Sequence, residues 1–221
     1  PKNGLALFAR AVASLARGEV ERAVRDYDDV IDAHPAVAET YRTRRGAPAS
    51  AEIDALRRAV REHPRGHEIA ATLSVQALTL FTKSGMLPAG QQREQAKARA
   101  LALLGEAIAL EPDNGLFRYE RGSLYLGDDD DAALADFNEI IRRKDPTWSA
   151  HAYHGRGCLH RDRNEPDLAL ADFGEAIRLD PAESAWRARL ARLLARMDRA
   201  PEALEVVTQG IALDPADASL H

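Results

Sequence analysis

The run HAYHGRGCLH at residues 151–160 sets His151, His154 and Cys158 at i, i+3 and i+7, which places all three on one face of a helix. Imidazole and thiolate are ligands for borderline metals such as zinc. A metal site also needs a fourth ligand, and the sequence supplies one only if His160 or Asp162 turns inward. The thiol alone becomes reactive where its surroundings lower its pKa. The plainer reading of the same run is a polar helix face, and that is the one expected here.

Other residues able to do chemistry fall into structural roles. His34 and His63 stand directly before prolines, a position that suits a cation at a helix C-terminus. The acidic run Asp128 to Asp131 lacks the alternation and the glycine of a calcium loop. It reads instead as an N-cap and acidic first turn for the helix that follows. Asp28 and Asp29 fall on an exposed helical face, not in an acid–base pair. No phosphate-binding GxxxxGK[ST], no HExxH and no GxSxG is present. No nucleophile, base and orienting group are legible together, so neither an enzyme nor a cofactor is expected.

Composition narrows the class further. The chain has 221 residues, 45% hydrophobic but only 5% aromatic, and is rich in alanine and arginine. That mixture favours helix. Of 30 basic residues only Lys2, Lys83, Lys97 and Lys144 are lysines, and the net charge of −5 argues against a nucleic-acid partner. Cys158 is the single cysteine, which excludes an intramolecular disulfide. No apolar run approaches the ~20 residues of a membrane-spanning helix. The chain starts at Pro1, where a processed or partial protein is the expectation, and the cytoplasm is the default compartment.

What positions these residues is a repeat. ALADFGEAIRLDP at 169–181 nearly copies AALADFNEIIRRKDP at 132–146. Prolines preceded by Asp, Glu or His close apolar segments at Pro35, Pro64, Pro112, Pro146, Pro181 and Pro215, the last four spaced about 34 residues apart. A small residue recurs at one distance before the proline, as Ala11, Gly122, Gly157 and Ala191. A bulky one recurs nearer to it, as Tyr27, Phe137, Phe173 and Val207. Two antiparallel helices approach closely only where a small side chain faces the partner, and a large one fills the space between pairs. Arg10, Arg121 and Arg156 precede the small residue, and Asp26, Asp136 and Asp172 follow fifteen or sixteen positions later. In the last copy both positions turn apolar together, as Leu190 and Val206. Covariation of this kind predicts contact, with salt bridges inside three repeats.

These segments resemble tetratricopeptide repeats of the bacterial type, written here as Tyr153, Arg156, Gly157, Ala169, Asp172, Phe173, Asp180 and Pro181. The resemblance implies an all-α fold, an α-solenoid of about twelve helices in antiparallel pairs forming a right-handed superhelix. About six repeats in one domain over 1–221 are expected: 4–37, a short 36–66, a 67–114 with extra residues and a loop at 84–92, then 115–148, 150–183 and 184–217. The resemblance also implies that first helices line a concave groove. Its positions here are Leu5, Phe8 and Val12; Leu116, Tyr119 and Ser123; His151, His154 and Cys158; and Arg192 with Arg196. The surface would run from apolar to basic, and Phe8 and Val12 stand where a carboxylate-clamp subtype carries Lys and Asn.

A non-catalytic scaffold binding a protein or peptide segment in that groove is the expected function. The alternatives are a regulatory or sensor module of a larger protein, and a metal- or small-molecule-binding protein using His151, His154 and Cys158. A capping helix is not legible after 217, so self-association through the C-terminal end is a further expectation. With histidines between the apolar and basic ends, an acidic partner would bind better as pH falls towards 6.

Overall fold

Breaks at proline and glycine and apolar spacing near 3.6 leave the chain no regular option but short helices, and helices are what form. The computed structural model describes residues 66–213 continuously and isolated positions between 7 and 62. Leu5, Phe8 and Val12 lie outside the described residues. The continuous part holds α1 (Gly66–Met86), α2 (Gln91–Leu110), α3 (Gly115–Tyr125), α4 (Asp130–Arg143), α5 (Ser149–Asp162), α6 (Pro166–Leu179), α7 (Ser184–Arg196) and α8 (Ala200–Leu213). Among the described residues there is no strand. No described helix is long and apolar enough to cross a membrane. The chain divides into two compact units, Pro1–Arg121 and Gly122–His221, with the boundary inside α3.

In the first unit α1 packs along α2. Segment 67–114 takes up its extra residues as helix, since α1 and α2 run 21 and 20 residues. The linker is therefore residues 87–90, shorter than the expected 84–92. Ser84 explains the difference: it is buried in the last turn of α1 and donates to the Phe81 carbonyl at 2.6 Å, keeping Gly85 and Met86 helical. The turn is made at Gly90, whose φ of 148° suits glycine alone, and its tip is exposed. Deeper in this unit, Arg57 grips the buried Glu106 with two bonds, of 2.6 and 3.1 Å.

In the second unit successive helices pack on one another: α4 on α5, α5 on α6, α6 on α7 and α7 on α8. Helix starts follow local chemistry. The Asp129 side chain accepts from the Ala132 amide at 3.2 Å, with Asp130 and Asp131 in the first turn of α4. Pro166 opens α6, where its missing N–H costs nothing. Phe137 and Phe173, both fully buried, are the wedges between helices. Phe137 lies against Gly122 of α3 and Gly155 of α5, and Phe173 against Gly157.

Those glycines are there because the rings already occupy the space. An alanine Cβ at 155 would come within 2.7 Å of the Phe137 Cζ, whereas one at exposed Gly174 of α6 would meet nothing within 4 Å. The two substitutions should therefore differ in sign. Gly174→Ala is expected to stabilise by about 0.5–1 kcal/mol through helix propensity. Gly155→Ala should lose about 1 kcal/mol net, an overpacking cost of ~1–3 kcal/mol outweighing the same gain. Urea unfolding of the two variants checks this, and a stabilised Gly155→Ala would show that Phe137 can shift.

Two of the expected charge pairs form. Arg156 holds Asp172 with both Nε and Nη2, at 2.8 and 2.7 Å, and Arg10 holds Asp26 the same way at 2.9 and 2.5 Å. In the last copy Leu190 and Val206 pack on one apolar cluster with Ala191, Leu194 and Ala203. The remaining pair, Arg121 and Asp136, falls on either side of the unit boundary.

Candidate functional site

Helices α5 and α7, the first helices of two successive pairs, meet through aromatic rings. The Trp148 amide, at the N-cap of α5, donates to Asp145 Oδ1 at 2.8 Å. Its indole leans on His151 with centroids 5.1 Å apart. His151 in turn meets Trp186 of α7 edge to face at 5.3 Å. His154, one turn along α5, stacks on Trp186 at 5.6 Å and 17° and lies 5.8 Å from Phe173. Cys158 closes the row with its Sγ 3.7 Å from His154 Nε2, against the cluster of Ala169, Phe173 and Leu193.

Electrostatics follow from this packing. Burial pulls His154 down to about 4, and electrostatic interaction with Arg189, His151 and Arg161 acts in the same direction. Burial pushes the Cys158 thiol up, against the smaller opposing pull of Arg161 and Arg189. The pair is therefore neutral thiol beside neutral imidazole at pH 7. An activated cysteine needs the reverse shift, so the arrangement is unsuited to nucleophilic chemistry. It also removes His154 as a source of stronger acidic-partner binding near pH 6: desolvation between two rings keeps that imidazole uncharged there.

The fourth metal ligand is spoken for. Asp162 receives Arg161 through two bonds of 2.8 and 3.1 Å, and His160 lies 2.6 Å from Glu165 and 3.7 Å from Asp172. Among the described residues no group of three His, Cys, Asp or Glu is arranged to hold a metal.

His151, His154 and Cys158 are half-buried, while Arg192 and Arg196 on α7 are exposed. Leu116 and Tyr119 are half-buried in the first unit, and Ser123 is half-buried in the second. The roles of Trp148, Trp186 and Arg189 were not legible from repeat spacing. The one signal for the rings is that the chain has just two tryptophans, and both stand at this cluster.

Three family models described as tetratricopeptide repeat match the chain, at residues 5–36, 93–147 and 160–221. No protein of curated function matches its sequence. Among solved structures, a MamA protein is similar at 15% identity, over 97% of this chain and 93% of that one, with a TM-score of 0.53. YrrB, described as a TPR protein with an unusual peptide-binding site, is similar at 14% identity over 99% and 90%, with a TM-score of 0.54. A thermophilic TPR protein of Thermus thermophilus shares 18% identity over 87% and 100%, with a TM-score of 0.50. At these identities the likeness is one of fold. Helix pairs, glycine-to-phenylalanine wedges and matched repeats lead to one conclusion: the chain belongs to the tetratricopeptide-repeat family.

Proposed function

We propose that the protein is a non-catalytic interaction scaffold that holds a peptide or protein segment along the first helices of its repeats, with α5 and α7 as the main contact. The observation that carries this reading is the pairing of those helices through Trp186 with His151 and His154. It makes a firm floor of the half-buried His151, His154 and Cys158 on the buried Trp186, beside the exposed Arg192 and Arg196. A rigid, partly apolar surface with a charged margin is the general form of a peptide-binding face. The neutral Cys158–His154 pair favours binding over catalysis, and the fold likeness to a peptide-binding repeat protein supports the same view.

Site-specific photocrosslinking tests it. A benzophenone amino acid replacing Arg192 on α7 should trap a protein partner in the native cell, whereas the same group replacing exposed Leu168 on α6 should not. Crosslinking from Leu168 with none from Arg192 would move the contact to the opposite helices and overturn the proposal.

A further inference from the structure

Several exposed helical arginines in this protein bind a glutamate one turn away. Arg142 and Arg143 bind Glu139 and Arg178 binds Glu175, at 2.7–2.8 Å. Helix α7 is composed differently. Its sequence SAWRARLARLLAR holds four arginines and no acidic residue, in a chain whose net charge is −5. Arg187 is buried and donates to the Pro181 carbonyl at 2.7 Å. Arg189, Arg192 and Arg196 are exposed and spaced i, i+3 and i+7, on one helical face.

Like charges at this spacing repel by a few tenths of a kcal/mol per pair, and no acidic residue of α7 offsets them from within the helix. The stripe also borders the ring cluster, because the charge of Arg189 is felt at both His154 and Cys158. Arg161 acts on the same two groups from α5, where Asp162 holds it through two bonds, so the positive charge offered beside the cluster is that of the α7 stripe. An anionic ligand lying across the rings would therefore meet favourable charge along α7.

We infer that this stripe is the docking face for an acidic peptide segment, the carboxylates of which bind Arg189, Arg192 and Arg196. The inference rests on the scaffold reading above and names the chemistry of its partner. Geometry agrees with an extended peptide. Seven residues of helix span about 10 Å at 1.5 Å per residue. Same-side residues of an extended strand stand roughly 6.6–7 Å apart, so two or three alternate Asp or Glu residues cover the stripe. Guanidinium meets carboxylate through paired N–H donors, which supplies orientation as well as charge. A long polyanion is disfavoured, because a track of about 10 Å offers it few contacts and the protein's own negative charge repels the remainder.

The test uses the full chain and four labelled probes read by fluorescence anisotropy. These are a decapeptide alternating Glu with Thr and Leu, its Gln and Lys counterparts, and a ten-nucleotide oligouridine. The Glu peptide should bind tightest and weaken strongly between 0.05 and 0.5 M salt. Arg189→Glu and Arg196→Glu should each reduce its affinity at least tenfold, and the variant with all three arginines reversed should prefer the Lys peptide. Thermal melts close to wild type would show that these surface changes leave the fold intact, and Arg189→Gln repeats the test without charge reversal. If the Gln or Lys peptide binds as well as the Glu peptide, the acidic-partner inference falls and the scaffold reading stands. Glu-peptide binding that ignores the arginine variants overturns it too. Binding of oligouridine alone, or of no probe, would overturn it, and crosslinking at 192 then decides the scaffold reading separately.

Discussion

Truncation of Phe173 to Ala is expected to lower the unfolding free energy by about 3–5 kcal/mol, the range for a buried aromatic reduced to a methyl. Phe173 is fully buried and packs with Ala169 and Leu193, with Cys158, Leu170, Leu190 and Met197 around them. Its neighbours include Gly157 and Ala169, which have no side chain to swing into the space. The cavity therefore stays open, and the cost falls at the upper part of the range. The ring also joins α5, α6 and α7, so its loss should loosen all three helices together. Urea unfolding and amide exchange of the full chain check this, with exposed Leu168→Ala on α6 as the control, expected within about 0.5 kcal/mol of wild type. A loss below about 1 kcal/mol would mean that the helix pairs are held by something other than this wedge.

A second large effect is expected from acid. His154 is pulled from 6.5 to about 4 in the folded protein, chiefly by burial. Above pH 6.5 it is neutral in both states and contributes nothing. Between 6.5 and 4 the unfolded chain takes up a proton that the folded chain refuses, so stability is lost as pH falls. Below about 4 both states are protonated and the loss levels off at about 3 kcal/mol. The groups that set this are Arg189 from α7 and His151 and Arg161 from α5, with the Cys158 thiol in contact. Urea unfolding of wild type and His154→Gln from pH 7.5 to 4 isolates the effect, because other titrating groups cancel in the difference. The two curves should converge towards acid by that amount. Curves that stay parallel would show that the imidazole accepts its proton in the folded state.

Both effects concern residues that the sequence marks for different reasons, and they differ in how readable they are. Phe173 is legible because its role recurs: Phe137 holds the same place one repeat earlier, and in both copies a glycine answers the ring. The Arg156–Asp172 bridge is legible because its positions change together to Leu190 and Val206 in the last copy. The linker at 87–90 is shorter than the sequence predicts, because Ser84 and Gly85 look like turn residues until a buried hydroxyl finds the Phe81 carbonyl. The chemistry of the 151–160 run was half legible. Periodicity aligned His151, His154 and Cys158, but nothing in a linear pattern reports what covers them.

The sequence by itself therefore determined the helical class, the pairing of helices, the wedge residues and the ion pairs of two repeats. All of these depend on spacing along one chain, and spacing is what a repeat writes down. The tertiary structure alone decided the state of the candidate site. Trp186, more than thirty residues beyond His151, is brought over both histidines, and Phe173 approaches His154 from the adjoining helix. Desolvation depends on neighbours in space, so it turns a potential proton site into a neutral, packed floor. The arginines of α7 were visible as letters. That three of them face solvent while Arg187 turns inward became clear only once the helix was docked.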